Sequence, residues 1–113
     1  MFAPTVQPHV PWVVPKEFFG YFPAYPDIPL AADTFAPVGM PPMAWHPPAD
    51  VHGMDEHPAF NGTVNATRAR LYRRAYYAAI SYQDYNIGRI LDALTELGLA
   101  NDTVVALFGD HVS

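Results

Sequence analysis

No cysteine occurs anywhere in the 113 residues. Within these residues that excludes disulfides, zinc–thiolate sites and a cysteine nucleophile. Runs of about 18 apolar residues are also missing, so the sequence predicts no transmembrane helix. The opening stretch MFAPTVQPHVPW has neither a basic start nor an unbroken apolar core, so it does not read as a signal peptide. Charge is sparse: 15% of residues, with 6 Lys and Arg against 11 Asp and Glu, for a net charge of −5. Most of the arginines sit together in Arg68–Arg74. No basic patch is spread along the chain, and no nucleic-acid partner is expected.

What is present argues for folding. Half of the residues are hydrophobic and 14% are aromatic, more than a disordered chain carries. The length suits one small domain, yet 13 prolines run from Pro4 to Pro58. Proline fixes φ and removes a backbone donor, so residues 1–65 predict a long extended segment without long helices or central strands. One helical turn is expected after Pro15, in VPKEFFGYFP. The stretch PDIPLAADTFAPVGMPPMAWHPPAD reads as a loop too long for an independent domain, better explained as a wrap on a larger body.

Residues 66–97 change character. Leu71, Ala75, Ala78, Tyr82 and Tyr85 recur at three- and four-residue spacing, and Ile87, Leu91 and Leu94 continue the stripe. That periodicity predicts an amphipathic helix. Asn65 or Thr67 can cap its start, and Gly98 suits the left-handed position after its end. Gly88 falls inside the pattern at a cost of about 1 kcal/mol against alanine, and marks either close packing or a break. Arg68–Arg74 oppose the macrodipole, which leaves a solvated face or pairing to parts outside this sequence. After the turn LGLANDT, the uncharged run at residues 103–108 predicts a strand buried on both faces. Helix, turn and buried strand make half of a βαβ unit, hence an α/β class.

Several residues are candidates for chemistry. Ligands in open α/β sheets bind beyond the carboxyl ends of strands, where Asp110 and His111 stand. Asp offers a hard oxygen and His a nitrogen, although a Ca²⁺ or Mg²⁺ site needs about six oxygens; read alone, the pair is better explained as a turn with a cap. His9 lies in Pro8-His9-Val10-Pro11, where flanking prolines predict an extended backbone that restricts the ring and aims it at an anion. An ordinary loop histidine is the plain alternative. His46, His52 and His57 read as loop histidines. Asn61-Gly62-Thr63, Asn65-Ala66-Thr67 and Asn101-Asp102-Thr103 are glycan acceptor sequons pointing to the secretory pathway. A helix cap at Asn65 and a turn at Asn101 explain two of them without glycans.

In order along the chain, QPHVPWVVPKEF, VGMPPMAW and RRAYYAAISYQDYNIGRILDALTELGLANDTVVALFGDH resemble the sulfatases, and within them the iduronate-2-sulfatase group. The likeness covers about residues 7–111. It implies that residues 1–113 are part of a sulfatase catalytic domain, an α/β sandwich of the alkaline-phosphatase superfamily. By the same resemblance Asp110 and His111 are ligands of the family's Ca²⁺. His9 contacts the sulfate or helps protonate the leaving group. The family's nucleophile is a formylglycine made from cysteine in Cys-x-Pro-Ser-Arg, and its cation offsets charge on the sulfate oxygens. Gln7 stands where the family has Lys, and Val112 where it has Gly. The implied substrate is a sulfated carbohydrate of glycosaminoglycan type, and the implied location lysosomal or secreted.

With no cysteine, and without the family's paired aspartates or its sulfate-gripping lysine, these residues alone are expected to be inactive. The remainder of the domain is expected outside this sequence. Two alternatives stay open: a non-catalytic truncated product or pseudoenzyme, and a phosphatase or phosphodiesterase of the same superfamily using Thr or Ser. Val112-Ser113 can be encoded as GTGAGT, a common splice-donor sequence, so the last two residues are expected to be read-through of an intron.

Overall fold

The computed structural model describes residues 7–44 and 62–109. Its main element is one long helix, α1 (Ala66–Glu96), close to the span the periodicity predicts. Both ends follow from local chemistry. The Asn65 Oδ1 accepts the Arg68 N–H at 3.0 Å, the N-cap bond to the third helical residue. At the far end Gly98 has φ +69°. There the Leu99 N–H donates to the Leu94 carbonyl at 2.8 Å and the Gly98 N–H to the Thr95 carbonyl at 3.0 Å. That pair of bonds is a Schellman motif, which needs the left-handed glycine. The helix runs unbroken through Gly88, and a Cβ added there meets nothing within 4 Å. Among the described residues, neither a break nor close packing explains that glycine.

The chain divides into two compact units, Met1–Gln83 and Asp84–Ser113. In the first, the proline-rich segment lies along the front of α1. It carries 3-10 turns at Lys16–Tyr21, Tyr25–Asp27 and Pro42–Ala44. The first of these is the turn predicted after Pro15. It places Phe18 against Tyr82, with ring centroids 5.1 Å apart. Phe22 meets Tyr77 at 5.5 Å. Phe18, Ile28, Ala78 and Ala79 are the buried apolar residues among those described. The two alanines let the segment approach the helix closely. Burying Phe18 and Ile28 contributes roughly 2 kcal/mol each.

The predicted stripe is only partly the packed face. Ala75 and Tyr82 are half-buried and Ala78 is fully buried, but Leu71, Tyr85 and Leu91 are exposed. The segment sits on the face carrying Tyr72, Tyr76, Tyr77 and Ala79 as well, and polar tips at the tyrosines blur the pattern.

The arginines are not a solvated face. Arg70 Nε–H donates to the Ile28 carbonyl at 3.1 Å, and its Nη1–H to Ala66. Arg73 Nη1–H donates to the Pro29 carbonyl at 2.8 Å, while its Nε–H donates to the Tyr77 hydroxyl at 2.7 Å. Arg74 Nη2–H donates to the Phe19 carbonyl at 2.8 Å, with its guanidinium 5.7 Å from the Phe19 ring centroid. Tyr25 adds a hydroxyl bond to Thr67 at 3.0 Å. Backbone acceptors with no helix or sheet partner must find donors elsewhere; Arg70 and Arg73 supply them at Ile28 and Pro29, while the Phe19 carbonyl takes the Arg74 bond in addition to the Phe22 N–H at 3.4 Å.

The second unit holds the remainder of α1, the Schellman turn, a 3-10 turn at Ala100–Asp102 and residues 103–109. The buried strand expected over residues 103–108 is not present. Thr103 has the extended values φ −121° and ψ 121°, yet no strand occurs among the described residues. Val104 is 97% exposed and Phe108 78%. A strand exists only with a neighbour whose backbone completes its hydrogen bonds, and none of the described residues pairs with this run.

Two substitutions test these assignments. Arg74→Ala is expected to destabilise by about 1–2 kcal/mol, since it removes a charge-assisted bond and a ring contact. Arg89→Ala, whose exposed guanidinium only overlies Tyr85, should stay within about 0.5 kcal/mol. Urea midpoints followed by tyrosine and tryptophan fluorescence compare the two. Gly88→Ala is expected to stabilise α1 by about 0.5–1 kcal/mol, read as a higher midpoint in circular dichroism melts.

Candidate functional site

His9 is exposed and sits in a loop closed by its own neighbours. The Trp12 indole N–H donates to the Pro8 carbonyl at 2.8 Å. The Trp12 ring packs against Tyr72 and Tyr76 of α1, with centroids 6.2 and 6.1 Å away. The flanking prolines predicted an extended backbone, and here the structure differs. Residues 7–8 form a turn and residues 9–11 bends, with the Gln7-Pro8 and Val10-Pro11 bonds both cis. Four extended residues reach about 13 Å, too far for the Trp12–Pro8 bond. The Val13 N–H, donating to the Pro11 carbonyl at 2.9 Å, tightens the exit from the loop.

The imidazole has a defined orientation. Nδ1 of His9 lies 2.6 Å from the Val10 carbonyl oxygen. A carbonyl only accepts, so Nδ1 carries the proton and Nε2 is left to meet anything arriving from solvent. A neutral ring offers a lone pair there, and a protonated ring offers N–H. Gln7 Oε1 and Tyr72 Oη are buried without hydrogen-bond partners among the described residues. The side-chain bond that closes the loop is therefore the one from Trp12.

Asp110 and His111, the expected metal ligands, lie outside the described residues, as do His46, His52 and His57. Gly109, the described residue next to Asp110, is exposed. Among the described residues no three His, Asp or Glu side chains gather as a cation site. They do not fit a Ca²⁺ site, which takes six to eight oxygens. Also among the described residues, no helix is long and apolar enough to cross a membrane.

Sequence reasoning missed Trp12 and the role of the arginines. One signal was available for each. Trp12 stands four residues after Pro8, within reach of its carbonyl only if the chain turns. The arginines crowd the end of a helix where cations are disfavoured, which called for a compensating partner.

Comparison with known proteins adds a second line. The whole chain, residues 1–113, matches the family model described as Sulfatase. Iduronate 2-sulfatase of Homo sapiens is 38% identical over 110 residues, covering 93% of this chain and 20% of that protein. The Mus musculus iduronate 2-sulfatase is 36% identical over 110 residues with the same coverage. A protein named sulfatase from Formosa agariphila is 29% identical over 107 residues, covering 93% of this chain and 20% of its own length. The chain thus spans about one fifth of the length of the curated relatives it matches. No solved structure matches it significantly. With a family model covering every residue, the chain belongs to the sulfatase family.

Proposed function

We propose that this chain is part of a sulfuric-ester hydrolase that removes sulfate from sulfated sugars of glycosaminoglycan type. The observation that carries the proposal is its 38% identity to an iduronate 2-sulfatase across 93% of the chain. Family membership implies an alkaline-phosphatase-like α/β fold for the domain. In that setting residues 103–108 are proposed as a sheet strand, and Asp110 and His111 as ligands of a Ca²⁺ ion. Those two positions supply one carboxylate and one imidazole.

His9 is proposed to act on the substrate. Its Nδ1–H is committed to Val10, so Nε2 is the nitrogen that meets a sulfate oxygen or the departing alcohol. As an imidazolium it donates to the anion. It also carries the proton that an alkoxide leaving group needs. The surrounding loop holds that nitrogen in place and spares the reaction the cost of orienting it. A nucleophile must come from elsewhere, since no cysteine is present. That absence favours a second reading for the 113 residues taken alone, a non-catalytic product. A lysosomal or secreted location is proposed with it, supported by the three Asn-x-Thr sequons.

The 113-residue chain is expected to show no hydrolysis of an aryl sulfate above a heat-killed control, with Ca²⁺ present; turnover would contradict the assignment of the nucleophile to other residues. An exchange experiment tests the activity itself. Residues 7–111 replace the matching stretch of human iduronate 2-sulfatase, and the chimera is assayed on a 2-sulfated iduronate substrate. Hydrolysis is expected, and His9→Ala in the chimera should lower kcat by about 10²–10⁴-fold, the range of a general acid. A chimera that cleaves other sulfate esters but not iduronate sulfate would overturn the substrate class. An undiminished His9→Ala chimera would overturn the role of the histidine.

A further inference from the structure

We infer that Trp12 is the positioning residue for His9, and that its indole N–H selects which imidazole nitrogen the site presents. The functional meaning rests on the role proposed for His9, while the geometry stands without it. The two carbonyls that bracket His9 are both engaged. The preceding one, of Pro8, accepts the Trp12 indole proton at 2.8 Å. The following one, of Val10, accepts the His9 Nδ1 proton at 2.6 Å. These bonds share one loop, so they are linked. The first fixes the peptide plane from which the His9 side chain departs, and the second holds only while that plane stays in place.

Trp12 can do this because it is itself anchored. Its ring is half-buried and packs against Tyr72 and Tyr76, two residues on one helix that are a turn apart. The indole brings an apolar body to that face and leaves its single donor pointing back into the loop. Pro8 and Pro11 have no N–H to offer, so the loop has few backbone donors of its own. A phenylalanine at this position would keep the ring contacts and lose the donor. Trp12→Phe therefore separates packing from positioning.

The consequence for chemistry is specific. With Nδ1–H held by Val10, Nε2 is the nitrogen offered to a sulfate oxygen or a leaving-group oxygen. If the Nδ1 bond is lost, the ring is free to rotate and to take either tautomer, and the proton donor is no longer fixed in direction.

The test reads the His9 tautomer directly in the full 113-residue chain without substrate. Long-range proton–nitrogen NMR on histidine-labelled protein distinguishes the two neutral forms, and a His9→Gln sample assigns the signal. The wild-type chain is expected to show mainly the Nδ1–H form. Trp12→Phe is expected to lower the ratio of Nδ1–H to Nε2–H by about fivefold, the effect of one ordinary hydrogen bond. Helical circular dichroism should stay unchanged. Trp12→Ala should lower the ratio at least as far. An Nε2–H tautomer in the wild-type chain would overturn the inference, as would an unchanged ratio in Trp12→Phe. Should Trp12→Phe lose its helix, the wild-type chain still decides. Its Trp12 indole proton must exchange more slowly than that of free tryptophan, and equal exchange would overturn the clamp. Because no substrate is involved, failure of the clamp and failure of the chimera to hydrolyse sulfate are separate results.

Discussion

Each proline deletes a backbone donor and leaves its acceptor in place, and that imbalance governs this chain. With 13 prolines from Pro4 to Pro58, the front of the sequence has more carbonyls than N–H groups. No sheet is available among the described residues to satisfy them. The helix supplies donors through Arg70 and Arg73 to the carbonyls of Ile28 and Pro29, and Arg74 adds a second bond at the Phe19 carbonyl. Arginine suits this role better than lysine because its donors form a rigid fork. Arg70 and Arg73 each use that fork twice, once across to the segment and once to their own helix. The magnitudes agree with the choice. The dipole's penalty on a cation falls off within the first helical turn, and these three arginines stand beyond that turn. A charge-assisted hydrogen bond contributes roughly 1.5–3 kcal/mol, less where the group is half-exposed, and outweighs what remains of that penalty.

The same helix links this packing to the candidate site. Arg74 and Tyr72 lie two residues apart on α1, one holding the Phe19 carbonyl and the other packing at a tilt against Trp12. A segment that is pinned at Phe19, Ile28 and Pro29 keeps its upstream loop close to the tyrosines. Trp12 then closes the loop around His9. The orientation of one imidazole thus depends on a sequence of contacts that starts with missing backbone donors. Loops that carry function are positioned by the rigid elements beneath them, and here that element is one helix.

How far the sequence was legible varied with the range of the interaction. Helix ends were readable because caps are local: Asn65 and Gly98 act within three or four residues of themselves. The turn after Pro15 was readable for the same reason. The arginines were not, because their acceptors lie more than forty positions away, and a charge run alone does not name its partner. Flanking prolines suggested an extended backbone at His9, whereas the indole four residues later folds it back. The run at residues 103–108 has the composition of a buried strand, but burial depends on a neighbouring strand, which no single segment encodes. Family membership was readable throughout, since it rests on the order of motifs and not on any contact. Asp110 and His111, the boldest reading of the sequence, lie outside the described residues.

The guanidinium donors offer the most direct test of this account. Solvent exchange of the arginine Nε–H protons can be followed by proton–nitrogen NMR in the intact chain. Arg70 directs its own across to the Ile28 carbonyl, whereas Arg89 is exposed. Markedly slower exchange at Arg70 than at Arg89 is the predicted result. Equal exchange at the two would mean that the proline-rich segment is not held by the helix, and the account would not stand.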